Sequence, residues 1–137
     1  MGGNPLLSPA YNAEAAPIPD GSVLQQISGA NYVTGAVLGL NAEAIGIAHG
    51  AIPAEGTGLV QTGGRHRVRM ADGLGPMDLV EGKFVYLSFV AGVATTLPVG
   101  GQKYGFGIIT DSTNYEIDGT VMVQLKMVVA TGGIGVG

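Results

Sequence analysis

Glycine interrupts this chain so often that long helices are excluded before anything else is considered. There are 25 Gly and 7 Pro among 137 residues. Glycine inside a helix costs roughly 1 kcal/mol relative to alanine, and proline breaks the helix outright. Between the glycines, β-branched and aromatic residues gather in short runs: 31–39 (NYVTGAVLG), 44–49 (AIGIAH), 58–62 (GLVQT), 65–70 (RHRVRM), 83–90 (KFVYLSFV), 104–110 (YGFGIIT) and 120–129 (TVMVQLKMVV). Such runs, bounded by Gly, Pro, Asn or Asp, predict strands. Several short strands at close spacing define an all-β chain, a compact β-barrel or β-sandwich. Residues 42–48 (AEAIGIA) have some helical propensity, but glycine and their short length argue against a helix there, leaving room for one short helix elsewhere. In the last run Val121, Val123, Leu125 and Met127 share one face and Met122, Gln124 and Lys126 the other, so one side is core and the other wet. No repeat of 20–50 residues is convincing.

The two ends differ from the middle. Residues 1–22 hold Pro5, Pro9, Pro17 and Pro19, which rules out both a continuous helix and an inner strand. They also carry spaced apolar residues, Leu6, Leu7, Tyr11 and Ile18, for which an unpaired linker has little reason. The segment reads either as a disordered leader or, as expected here, as an extended proline-rich arm that orders along a neighbouring molecule and whose removal leaves the β domain folded. Residues 23–129 form that β domain, and residues 130–137 form a flexible glycine-rich tail. The N-terminal residues show neither the basic nor the apolar region of a signal peptide. The nearly apolar run 84–94 (FVYLSFVAGVA) is far short of the roughly 20 residues that span a bilayer, so no membrane partner is expected.

Composition narrows the function classes. A formal charge of −4 argues against direct nucleic-acid binding, which needs a basic surplus. No Cys is present, which excludes disulfides, thiol catalysis and zinc-thiolate sites. With 46% hydrophobic and only 12% charged residues, the chain is expected to hide surface against other chains.

Catalytic patterns are absent. His49 and His66 have neither a nucleophile elbow nor metal-ligand spacing, and His49 fits a strand end better than a general base. Residues 111–119 (DSTNYEIDG) resemble a calcium loop in composition but lack its order and its terminal Glu. Asp78 and Glu81 form an acid pair only if their turn brings them together, and turn solvation is the simpler reading. The glycines of YGFGIIT have no following helix to bind a pyrophosphate, and those of the terminal GGIGVG have no Lys-Ser/Thr to make a phosphate loop. No catalytic residue, cofactor or metal is expected.

One stretch remains. Residues 62–73 (TGGRHRVRMADG) hold Arg65, Arg67 and Arg69, three of the chain's six basic residues. As a strand it sends these three to one face and Val68 and Met70 to the other. Three like charges on one face are either solvated or met by carboxylates on a neighbouring subunit; phosphate binding is the weakest reading.

The run IGIAHGAIPAEGTGLV at 45–60 resembles the bacteriophage capsid cement, or head decoration, proteins: small, cysteine-poor, glycine-rich β proteins. Segments corresponding to that family's pattern follow in order at Gly46–Ala48, Gly56–Val60, Gly63–Gly64, Gly82–Tyr86, Tyr104–Ile108 and Val121–Leu125. The resemblance spans about residues 30–129; the proline-rich start and the glycine tail depart from it. It implies a non-enzymatic protein on the outer surface of the virion. Such a protein associates as a homotrimer and clamps neighbouring subunits of the major capsid protein. Leu6, Leu7, Tyr11, Ile18, Arg65, Arg67 and Arg69 are the candidate partner-binding residues. The alternatives are a tail-, baseplate- or fibre-associated β module, and a small trimeric β enzyme of the dUTP pyrophosphatase kind, whose phosphate-gripping Arg-Ser-Gly stretch is missing here. A cellular binding module is the remaining one.

Overall fold

The computed structural model describes residues 7–26, 32–35, 46–88, 90, 92–97 and 105–126. Strands β1 (Leu7–Asn12), β2 (Val23–Gln26), β3 (Tyr32–Gly35), β4 (Gly46–His49) and β5 (Thr57–Gln61) close into a small barrel in the order β1-β3-β2-β4-β5. Strands β6 (Gly63–Arg69), β7 (Phe84–Leu87), β8 (Ala94–Thr95), β9 (Gly107–Asp111) and β10 (Thr120–Lys126) form a five-stranded sheet in the order β6-β10-β9-β7-β8. Strand pairing is antiparallel except between β1 and β3. One helical turn, α1 (Tyr115–Asp118), lies between β9 and β10. The all-β expectation therefore holds, with the short helix placed in the 111–119 loop. No helix among the described residues is long and apolar enough to cross a membrane.

Alternation along the strands builds two cores and joins them. Leu24 and Ala48 point into the barrel with Ala10, Ile18, Ile52 and Val60. Their neighbours Val23 and Ile47 point the opposite way and join the sheet core of Val68, Val85, Ile109, Val121, Val123 and Leu125. Each fully buried Val or Ile of this kind contributes roughly 1.5–3 kcal/mol. The period-2 reading of the last strand is correct where it is described: Val121, Val123 and Leu125 are buried, and β10 is flanked by β6 and β9.

The proline-rich start is built into the domain. β1 pairs with β5 from Leu7–Gln61 to Tyr11–Thr57 and with β3 at Tyr11 and Asn12. Ala10, Asn12 and Ile18 are buried within the chain itself. The argument from proline against an inner strand fails for a local reason. Pro9 lies where the described pairing is with β5 alone, so its missing donor is tolerated. Pro17 and Pro19 flank Ile18, whose own N–H and C=O both bond to Ile52 at 2.9 Å, so neither proline sits where this bridge needs a donor. The boundary at residue 22 thus coincides with no break in packing. The tail at 130–137 and Leu6 lie outside the described residues.

Glycine is required where strands approach closely. A Cβ on Gly46 would lie 2.3 Å from Val60 Cγ2, and one on Gly107 would lie 2.4 Å from Val123 Cγ1 and 2.9 Å from the Gln124 carbonyl oxygen. Val123 is fully buried and β-branched, so it has nowhere to turn. Gly107→Ala is therefore expected to destabilise the fold by about 1–3 kcal/mol, despite the entropy that alanine saves in the unfolded chain. Denaturant unfolding checks this; a variant as stable as the native chain would show that the strands separate freely.

Candidate functional site

Strand β6 places the arginine row as expected. Arg65 and Arg67 are exposed and Arg69 half-buried on the outer face, while Val68 and Met70 are buried. Arg67 Nη1 lies 3.6 Å from Asp118 Oδ2, both side chains being about half exposed. A pair so wet contributes little to stability. Arg65 and Arg69 take part in no ion pair among the described residues.

His66, between the arginines, turns inward to the seam between barrel and sheet. Its ring centroid lies 5.1 Å from that of His49 at the end of β4. Gln61 organises this seam. Its Nε2 donates to the carbonyls of Gly63 (2.8 Å) and Arg65 (3.0 Å), along the edge of β6 away from β10. Its Oε1 is thereby left as the acceptor for His49 Nδ1 at 2.9 Å. His66 Nδ1 donates to the Arg67 carbonyl (2.7 Å), and its Nε2 lies 3.5 Å from Asp20 Oδ1, which also accepts the Gly50 N–H (2.7 Å). Each ring nitrogen at Nδ1 is thus committed to a structural bond, and among the described residues no Ser or Thr hydroxyl bonds either ring. The reading of His49 as a strand-end residue is correct, since it closes β4. The pairing of the two rings was not legible from their spacing, 17 residues apart in sequence.

Three of the carboxylates considered for metal or acid chemistry, Asp78, Asp111 and Asp118, serve as turn caps. Asp78 accepts the Gly75 N–H at 2.8 Å. Asp111 Oδ1 accepts the N–H and hydroxyl of Thr113, and Asp118 Oδ1 accepts the same two groups of Thr120. Among the described residues no group of three or more His, Asp or Glu is placed to hold a metal ion. The Thr113 hydroxyl and amide lower the pKa of Asp111. The Thr120 hydroxyl first, then its amide and the Arg67 charge, lower that of Asp118. Bonds that favour the anion stabilise the fold fully above the ordinary carboxylate range, and that contribution is lost as pH falls through the lowered values. Thr120→Val is expected to raise the titration of Asp118 towards the ordinary value and leave Asp111 unmoved, as read by carboxyl NMR; an unmoved Asp118 would contradict the assignment.

The apolar candidates of the first segment separate. Leu7 is 42% exposed on β1, near Leu59 at 40% on the adjoining β5. Tyr11 is half-buried on the same face of β1. Ile18, only 2% exposed, belongs to the barrel core and offers nothing to a partner. Two buried polar residues that sequence reasoning missed, Asn12 and Gln61, hold loops and strand edges in place. An isolated Asn or Gln in a strand carries no sequence signal of that role.

No family model and no curated protein matches the chain. Among solved structures, the fold is similar to a chain from the capsid of the Myoviridae phage XM1. The TM-score is 0.66 at 16% identity, covering 92% of this chain and 86% of that one. It is also similar to the head fibre gp8.5 N base of bacteriophage phi29, with a TM-score of 0.57 at 12% identity, covering 93% of this chain and 100% of that one. The chain therefore shares its fold with components of phage heads.

Proposed function

We propose that this chain is a structural virion protein, a capsid cement protein bound to the outside of an icosahedral phage head. The observation that carries this reading is the fold shared, over more than nine-tenths of the chain, with a chain from a phage capsid and with a phage head-fibre base. The composition agrees with it: few charges, and histidines and carboxylates committed to holding the fold. In this reading the protein forms a homotrimer that clamps adjacent subunits of the major capsid protein. Arg65, Arg67 and Arg69 on β6 and Leu7 and Tyr11 on β1 are its contact residues. Trimerisation makes the second and third contacts intramolecular, so modest single interfaces sum to firm attachment.

A second reading, the base of a head fibre, is favoured by the match that takes in the whole of the phi29 chain. Co-sedimentation of the purified full chain with empty shells of the major capsid protein tests the first. Saturable binding that leaves the shell intact is expected, at a protein-to-shell ratio set by the shell's local three-fold positions. An absence of binding, or divalent-dependent turnover of nucleoside triphosphates, would overturn it.

A further inference from the structure

The outer face of the five-stranded sheet places two chemistries side by side. The strand register sets Arg65 opposite Gln124, Gln124 opposite Ile108, and Ile108 opposite Phe84, one cross-strand row over β6, β10, β9 and β7. At a strand spacing of ~4.8 Å the row is about 14 Å long. Its far end is apolar: Phe84 is 49% exposed and Ile108 half-buried beside it. Its near end is cationic, because Lys126 is exposed on the same face of β10, two residues beyond Gln124. Among the described residues neither Arg65 nor Lys126 takes part in an ion pair; Asp118 is engaged with Arg67, and Asp111, opposite Met122 on β9, with Thr113.

We infer that this row is a docking surface for an acidic protein surface, whose carboxylates meet Arg65 and Lys126 while an apolar side chain covers Phe84 and Ile108. The inference rests on the capsid reading above, and it names the face and the partner's chemistry. Like charges on one face repel until opposite charges face them. Arginine and an exposed aromatic on one face are residue types enriched at protein interfaces. Nucleic acid fits less well, since a polyphosphate backbone asks for cations along the whole row and a basic surplus, whereas half of this row is apolar and the chain carries −4.

The test uses the full chain, empty shells of the major capsid protein, and three variants measured at low and high salt. Phe84→Ser is expected to weaken shell binding about tenfold while keeping its salt dependence. Arg65→Glu combined with Lys126→Glu is expected to weaken it more than about tenfold and to flatten the salt dependence. Ile117→Ser, an exposed residue of α1 off this row, is expected to bind as the native chain does. All the substituted side chains are on the surface, and unchanged circular-dichroism melts confirm that the fold is intact. If the native chain binds shells and the row variants bind equally well, the docking face is refuted and the capsid reading stands. If the native chain fails to bind, both fall. Loss of duplex-DNA binding or of self-association in the row variants, with shell binding untouched, would assign the face to those partners and overturn the proposal.

Discussion

A chain lacking residues 1–20 is expected not to fold. Those residues supply β1, which closes the barrel by pairing with β5 over five positions and with β3 over two. They also supply Ala10 and Ile18, two of the six side chains in the barrel core, and Asn12, whose side chain binds the carbonyls of Ala16, Ile52 and Pro53 and the Glu14 N–H. Their loss opens β5 along its β1 side and bares Leu24, Val60 and Ile52 to water. The combined effect is of the order of the whole stability of a domain, about 5–15 kcal/mol. The sheet core is harmed as well, because Val23 and Ile47 reach it from the barrel strands. Thermal melting followed by circular dichroism decides the matter: the truncated chain should show no cooperative transition. A truncated chain melting like the full one would mean that the first segment is an accessory arm after all.

The next largest effect is expected from Ile52→Ala. Ile52 is fully buried, and its backbone is bonded on both sides to Ile18. Its side chain occupies the space left by Gly58, where an added Cβ would lie only 2.8 Å from Ile52 Cγ1. A core of six residues that includes two alanines has little volume with which to collapse around a void. Truncation should thus fall in the upper part of the range for Ile→Ala, about 3–5 kcal/mol, whereas Ile52→Val should lose only about 1 kcal/mol. Equal stability of the two variants in urea would show that the barrel interior relaxes and that its packing is loose.

What could be read from sequence followed from how strongly each residue's environment marks its pattern. β10 was legible because Val121, Val123 and Leu125 alternate with Met122, Gln124 and Lys126, and the face they define is the one buried. β6 was legible for the same reason, with arginines in place of the polar residues. The strand at 31–39 is described only as β3, Tyr32–Gly35, and the run at 104–110 only from residue 105. β1 and β2 were missed. Pro9 masked the first, while Val23–Gln26 is too short for its alternation to be visible. β8, two residues long, is held by its neighbours β7 and Met70 rather than by any local preference. Of the candidate contact residues, the arginines reached the surface because charge has nowhere else to go. Ile18 did not, because an isolated apolar residue between prolines carries the same signal whether it meets its own barrel or another molecule. The Gln61–His49 contact is a tertiary pairing across a corner, invisible to any periodicity.

We propose that this fold serves to be held against a phage shell. Cryo-electron microscopy of native virions, compared with virions from which the gene for this chain has been deleted, tests it most directly. Difference density of this domain's size is expected on the outer surface at the local three-fold positions, with the β6–β10 face towards the capsid. Identical maps, or difference density confined to the tail or to the inside of the shell, would contradict it.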